Sequence, residues 1–287
     1  MTGCTIVARN YLPAARVLAR SYHAHHPGDG FVIAVIDAAP EDPDLGEQPD
    51  GYRLVGPPEF DIDEQTYLRM ATAYSVTELA TSVKPYLLRT LRTRNDVVIY
   101  LDPDIEVYAP MPELVTLATE HGIVLTPHFL SPLPRDGKEP SEADIMGAGI
   151  FNLGFVAVGP GSEGFLDFWA ERLRTDAIAS PAAQLFTDQR WVDQVPSLFS
   201  FHVLRDPGCN VAYWNLHERG IARDGATPTA GGKPLRFFHF SGYRPERPWV
   251  LSKYCEREPR VTLSQIPELR RLCDSYGRSL REAGYAE

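Results

Sequence analysis

Nothing in this chain concentrates positive charge. Its 287 residues carry 28 Lys and Arg against 38 Asp and Glu, a net charge of −10. No basic tract occurs, which argues against nucleic acid or an anionic membrane as the main partner. No apolar run approaches about 20 residues, so no transmembrane segment is expected. The four cysteines, Cys4, Cys209, Cys255 and Cys273, form no C-x-x-C pair, and a zinc framework is not expected. The N-terminal stretch MTGCTIVARNYL has no charged start leading into an apolar core, so it does not read as a secretory signal. A cytoplasmic protein with reduced thiols follows. Internal repeats and low-complexity tracts are missing too.

What remains is globular: 44% hydrophobic and 23% charged, in a length that suits one large α/β unit. Cys4 to Ala8 reads as a buried strand. Ala14, Val17, Leu18 and Tyr22 then fall at helical spacing, with Pro13 in the first turn and Pro27-Gly28 at the end. Phe31 to Ile36 is a second strand, and strand–helix–strand favours a parallel sheet. A short strand is expected at Tyr52 to Val55. Residues 64–94 have helical spacing, with Pro85 marking a kink or a new first turn. A helix at Pro110 to Glu120 and a strand at Ile123 to Leu125 follow. Residues 127–146 read as a long loop. Phe151 to Val158 reads as a strand and Gly164 to Leu173 as a helix. Short strands follow at Phe201 to Leu204 and Arg236 to Phe240, and a charged helix runs from Leu263 to Ala283. His23 to His26 (HAHH) closes the first helix, whose C-terminal carbonyls favour a protonated imidazole.

The chemistry gathers in VVIYLDPDIEVY, from Val97 to Tyr108. On an extended backbone, Asp102 and Asp104 point the same way, at the strand end where open α/β sheets bind ligands. Two such carboxylates repel unless a proton or cation intervenes, and oxygen ligands suit Mg2+ or Mn2+. A solvated Asp-Pro turn is the plainer alternative. Downstream, FFHFSGYRPERPW offers His239 as a nitrogen ligand or a core histidine. In the same stretch Gly242 allows close backbone approach, and Arg244 and Arg247 meet phosphate or solvent. Lys84 lies on an apolar helical stretch, reaching a phosphate or snorkelling to water. In GAGIFNLGFVAV, Gly147, Gly149 and Gly154 loosen the chain around Asn152, either to bond a hydroxylated ligand or as turn glycines. Asp188-Gln189 reads as a helix start with Asp188 as N-cap.

In this order the pieces resemble the GT-A nucleotide-sugar glycosyltransferases, especially the family-eight type of glycogenin and bacterial galactosyltransferases. The resemblance runs from about Thr5 to Trp249 through TIVARNYL, the lysine helix, YLDPD, FNLG, Asp188-Gln189 and HFSG with a later Pro-Trp. It implies an α/β fold of GT-A (Rossmann-like) type: a mixed, mostly parallel central sheet flanked by helices. It also implies a domain over residues 1–255, with a helical extension packed on it over 256–287. Asp102, Asp104 and His239 would bind Mn2+ (or Mg2+). Tyr11 would stack on the base, hemmed in by Ala8 and Asn10, and Lys84, Asn152, Gly154 and Gly242 would contact the donor, with Arg244, Arg247 or neither as the phosphate clamp. Asp188 and Gln189 would lie at the anomeric carbon, in a retaining hexosyltransferase using a UDP-sugar and an acceptor hydroxyl. A homodimer stays open. The chain departs from the pattern at Pro103 and Leu153, in a final motif two residues longer than usual, and at Arg247 in place of lysine. Two other readings remain: a haloacid-dehalogenase-like phosphatase, whose D-x-D continues with Thr or Ser where Ile105-Glu106 stand here, and an inactive nucleotide-sugar-binding protein.

Overall fold

A computed structural model describes residues 1–285 of the chain. Thr2–Val7 forms β1, Leu12–His25 forms α1 and Gly30–Val35 forms β2. α1 buries Ala14, Ala15, Val17, Leu18, Ala19 and Tyr22 as one face, with Pro13 in its first turn. Gly46–Glu47 (β3) and Arg53–Val55 (β4) follow. The helical spacing over 64–94 resolves into three helices, α2 (Glu64–Ala73), α3 (Val76–Ser82) and α4 (Lys84–Arg92). Capping chemistry sets the breaks. The Asp63 side chain accepts from Thr66 N–H, Ser75 and Glu78 form a capping box, and Pro85 sits in the first turn of α4. Next come β5 (Val98–Leu101), β6 (Ile105–Val107), α5 (Glu113–His121), β7 (Ile123–Pro127), α6 (Glu142–Ala148), β8 (Phe151–Val158) and α7 (Glu163–Asp176). The end of the expected loop at 127–146 is therefore helical. Ser141 and Asp144 cap each other reciprocally there, a box that the reading for loop composition passed over.

Eight strands form the central sheet in the order His202–Val203, β7, β8, β5, β1, β2, β4, β3. β1 pairs in parallel with β2 and β5, β2 with β4, and His202–Val203 with β7. β8 runs antiparallel to both β5 and β7, and β3 to β4. The fold is the mixed, mostly parallel α/β sheet that the sequence implies. Alternation along β5 divides the core. Val98 and Tyr100 join Leu87 and Trp169 on one face. Ile99 and Leu101 join Leu18, Tyr22 and Phe155 on the other. Each such side chain contributes about 1.5–3 kcal/mol by leaving water.

A separate two-stranded ribbon pairs β6 with Phe237–His239, antiparallel. The C-terminal helix, Pro267–Glu282, covers it. Tyr276 on that helix stacks on Phe240 with ring centroids 3.9 Å apart and planes within 6°. Within HAHH, His26 is packed inward and is not a protonated helix cap. His26 is buried, stacks on Tyr22 at 4.7 Å and accepts from Met111 N–H at 3.3 Å. Desolvation pushes its imidazole below the ordinary value, outweighing Asp29, so burial prevails over attraction to the helix end.

Candidate functional site

Between β5 and β6, Asp102-Pro103-Asp104 is a tight turn. Ile105 N–H closes it onto the Asp102 carbonyl at 3.0 Å. Pro103 takes the second turn position, where a fixed φ is favoured. The expectation of two carboxylates on an extended strand end is thus corrected. The turn and the convergent carboxylates are one feature, and Pro103 has a physical reason. Backbone bonds hold the turn on both sides: Asp102 N–H donates to the Gly154 carbonyl on β8, and Phe240 N–H to the Asp104 carbonyl, each at 2.8 Å.

His239 reaches the turn from the neighbouring ribbon, where it pairs with Ile105. Its Nε2 lies 3.0 Å from Asp104 Oδ1 and 3.8 Å from Asp102 Oδ2. One ligand atom from each of Asp102, Asp104 and His239 falls within 4.8 Å of the others. Two carboxylates and an imidazole at this spacing fit a hard or borderline divalent cation. Gly154 makes the approach possible, because a Cβ there would stand 2.4 Å from His239 Cε1 and 2.9 Å from Asn152 Oδ1. Burial alone would lower the His239 pKa and raise that of Asp104. Their mutual attraction outweighs it, holding the imidazole above and the carboxyl below their ordinary values.

Lys84 lies behind the turn, 2% exposed. Its Nζ stands 2.8 Å from Asp188 Oδ2 and 3.4 Å from Asp102 Oδ1. It donates to the Leu153 carbonyl at 2.9 Å and lies 4.3 Å over the Tyr100 ring. Burial would lower its pKa, but Asp102 and Asp188 raise it. Burial raises the Asp188 carboxyl despite Lys84. Asp188 precedes the short helix Gln189–Val192, but its side chain makes no cap bond and pairs with Lys84 instead. Gln189 is also buried, giving its amide nitrogen to the Ala148 carbonyl at 2.8 Å and taking Leu153 N–H at 2.9 Å.

The residues expected to hem in a base lie at the end of β1. Ala8 is buried, and Arg9–Tyr11 makes one turn with Asn10 and Tyr11 outward. Tyr11 is 40% exposed. Desolvation, and then Asp104, push its hydroxyl above the ordinary value. Gly242 (φ +74) turns the chain after His239, where a Cβ would meet Ser252 Oγ at 2.6 Å. Arg247 grips Glu256 with two bonds of 2.8 and 2.9 Å. Arg244 is exposed and makes no ion pair among the described residues. Two open clefts, of about 370 and 660 Å3, flank α2 and contain none of these residues.

Sequence reasoning missed Tyr100, whose hydroxyl donates to Asp102 Oδ1 at 2.8 Å. It also missed Asn210, 3.3 Å from His239 Nδ1, and His128, 3.4 Å from the Asn152 amide. The signal available was polar side chains in apolar surroundings, as in CNVAYWN from Cys209 to Asn215.

No family model matches the chain. A curated relative, described as uncharacterized protein YfnF of Bacillus subtilis (strain 168), is 26% identical over 190 residues, 64% of this chain. The chain spans 62% of that relative's length. Among solved structures, the galactosyltransferase LgtC in complex with donor and acceptor sugar analogues superposes with a TM-score of 0.53 at 15% identity, over 100% of this chain and 98% of that one. Glycosyltransferase GlyE of Streptococcus pneumoniae TIGR4 gives a TM-score of 0.51 at 14% identity, over 98% of this chain and 62% of that one. The chain has the GT-A glycosyltransferase fold. Among the described residues, no helix is long and apolar enough to cross a membrane.

Proposed function

We propose that this chain is a metal-dependent glycosyltransferase of the family-eight type. It moves a hexose from a nucleotide diphosphate sugar, a UDP-sugar favoured, to an acceptor hydroxyl with retention of anomeric configuration. One observation carries the reading: Asp102, Asp104 and His239 present ligand atoms within 4.8 Å of one another, at the turn between β5 and β6 on a glycosyltransferase fold. LgtC, with that fold, was crystallised with donor and acceptor sugar analogues, which supports the same substrate classes here. Four buried free cysteines support a reducing, cytoplasmic setting.

The hard step is departure of the diphosphate as the anomeric C–O bond breaks and the acceptor C–O bond forms. Mn2+ or Mg2+ on Asp102, Asp104 and His239 would supply positive charge for the phosphate oxygens. Tyr100 and Lys84 hold Asp102 in its orientation. Lys84 is committed to Asp102, Asp188 and Leu153, so its charge acts through the carboxylates. Tyr11 offers its face to the base. Between the two candidate arginines, Arg244 is the one free for phosphate, since Arg247 is bound to Glu256. Gln189 retains one amide N–H beyond its bond to Ala148 for the sugar, and Asp188 and Gln189 are the protein groups nearest the anomeric carbon in this reading. The acceptor proton passes to the departing phosphate oxygen.

The test is incubation with UDP-glucose and UDP-galactose, with Mn2+ or with chelator, following UDP. Metal-dependent UDP release is expected, and Asp104→Asn should abolish metal-dependent donor binding by calorimetry. Phosphate release from a sugar phosphate, with no UDP release, would replace the reading with a phosphatase.

A further inference from the structure

Three large apolar side chains are turned outward around Gln189. Met146 on α6 is 73% exposed, Ile150 just before β8 is 57% exposed, and Phe186 is 45% exposed. Phe186 closes a small hairpin, in which it pairs with Ala179 and Leu185 pairs with Ser180. α6 lies alongside Leu185–Phe186.

Polar bonds join these three segments to one another and to Gln189. Arg190 donates to the Gln184 carbonyl at 3.3 Å and to the Asp193 carboxylate. Asp193 Oδ1 in turn accepts Ile150 N–H at 2.8 Å. Gln189 gives its amide nitrogen to the Ala148 carbonyl at 2.8 Å, and a Cβ on Gly149 would stand 3.4 Å from Gln189 Cγ. The apolar rim is thus built onto the residue placed at the anomeric carbon above.

The hairpin keeps its shape against local preference. Gln184 (φ +57) and Thr187 (φ +46) flank Leu185–Phe186, and both are left-handed. That region is uncommon for residues other than glycine, and a β-branched threonine there is an outlier. Thr187 is pinned by its N–H to the Ile178 carbonyl at 3.1 Å and by its hydroxyl to Asp188 Oδ1 at 3.0 Å. Backbone strain of this kind gathers at ligand sites. Here it leaves a phenyl ring in water, which does nothing for the stability of the chain alone.

The occupant's chemistry follows from the surface. Arg190 and Asp193 are spent on each other and on backbone groups, so they leave no free charge for an anion. Side chains of about 200 Å2 each, at these exposures, present on the order of 300 Å2 of apolar surface. A stable dimer buries about 800 Å2 per partner, so a second copy needs more than this rim supplies. An alkyl or aryl group of a small molecule is covered by it. The cation and the diphosphate belong to the Asp102–Asp104 turn, and the molecule that must come to Gln189 from outside is the acceptor.

We propose that Met146, Ile150 and Phe186 form an apolar subsite for the acceptor, and that the acceptor joins its hydroxyl-bearing part to an alkyl or aryl group. The proposal rests on the glycosyltransferase reading above.

Protein labelled with methyl-13C methionine reports on the rim directly, since Met70 and Met111 are buried and Met146→Leu assigns the signal. With Mn2+ and UDP present, it is titrated with hexyl β-glucoside and hexyl β-galactoside below micelle formation, and with the two methyl glycosides. A saturable Met146 shift is expected with a hexyl glycoside, at a dissociation constant about tenfold or more below that of its methyl counterpart. Phe186→Ser should weaken hexyl binding about tenfold. It should leave Mn2+-dependent UDP release from UDP-glucose or UDP-galactose in water unchanged. No saturable shift with either hexyl glycoside overturns the proposal, as does equal affinity for hexyl and methyl forms. A Met146 signal that broadens with protein concentration alone also overturns it, making the rim a contact between copies. If Phe186→Ser does not fold, the parent titration decides alone. UDP release without hexyl binding removes the subsite and leaves the glycosyltransferase reading standing. Hexyl binding without UDP release sinks that reading, and the acceptor role with it, and leaves an apolar site.

Discussion

Replacing Lys84 by methionine keeps the stem and removes the charge. The consequence follows from what surrounds it. Lys84 Nζ is 2.8 Å from Asp188 Oδ2, and the two side chains are 2% and 3% exposed. Taking one partner from a buried pair costs about 3–5 kcal/mol, because the other charge is left without compensation. The Leu153 carbonyl loses its donor as well, which adds about 1 kcal/mol. Domains of this kind are stable by about 5–15 kcal/mol, so the urea midpoint of Lys84→Met should fall steeply.

The loss has a pH signature. Burial holds the Asp188 carboxyl above its ordinary value while Lys84 pulls it down. Without Lys84 it rises further, and the folded state binds a proton that the unfolded state has released. A carboxyl raised on folding destabilises increasingly as pH climbs above its unfolded value. The deficit of Lys84→Met should therefore be larger at about pH 8 than at about pH 5.5. Lys84→Met/Asp188→Leu removes both charges and should recover most of the stability, since an apolar replacement of a buried pair is often neutral or better. Urea unfolding of the parent, both single variants and the double variant closes the cycle. A Lys84→Met loss under about 1 kcal/mol, an equal loss at both pH values, or no recovery in the double variant would refute the reasoning.

Three further outcomes follow from single contacts. Gly154→Ala puts a Cβ 2.4 Å from His239 Cε1, so it should displace the ring and weaken Mn2+ binding in calorimetry; unchanged affinity would mean that His239 is no ligand. Tyr11→Ala should weaken nucleotide binding by about 1–3 kcal/mol if the ring stacks on the base, and an unchanged dissociation constant removes it from the site. Burial depresses the His128 imidazole to about 4. Its contribution to stability is complete above its unfolded value near 6.5 and drains away as pH falls toward about 4, by about 3 kcal/mol in all. His128→Gln should flatten that part of the stability–pH curve measured by urea unfolding, and a slope equal to the parent's would refute the assignment.

The sequence was most legible where one residue does one thing. β-strand patterning and helix spacing yielded the sheet and its flanking helices, because burial has a period that can be read along the chain. The three cation-site candidates could be singled out because Asp, Asp and His are few in apolar surroundings. Their geometry was not legible. Pro103 could not be understood from the expectation of an extended strand, since a turn that both bends the chain and aims two carboxylates depends on the Ile105–Asp102 bond. The partners of Lys84 were illegible for a different reason. Asp188 lies 104 positions away and reads locally as a helix cap, and only the fold shows that its side chain turns inward.

The cluster's precision derives from its apolar neighbours. His239 pairs with Ile105 in register, and Phe237, two residues earlier, projects to the same side of the ribbon. Phe237 stacks on Phe155 with centroids 5.5 Å apart, both rings fully buried. Phe155 in turn lies opposite Leu101, the residue before the Asp102 turn. One aromatic pair thus ties together the strand that delivers His239, the strand that supplies Gly154 and the strand that delivers the aspartates. A slip of one residue in either pairing would carry His239 or the turn to the wrong face, and it would also unstack Phe237 from Phe155. Register and chemistry are therefore coupled: the hydrophobic contact that stabilises the sheet is the one that brings the three ligand atoms within 4.8 Å.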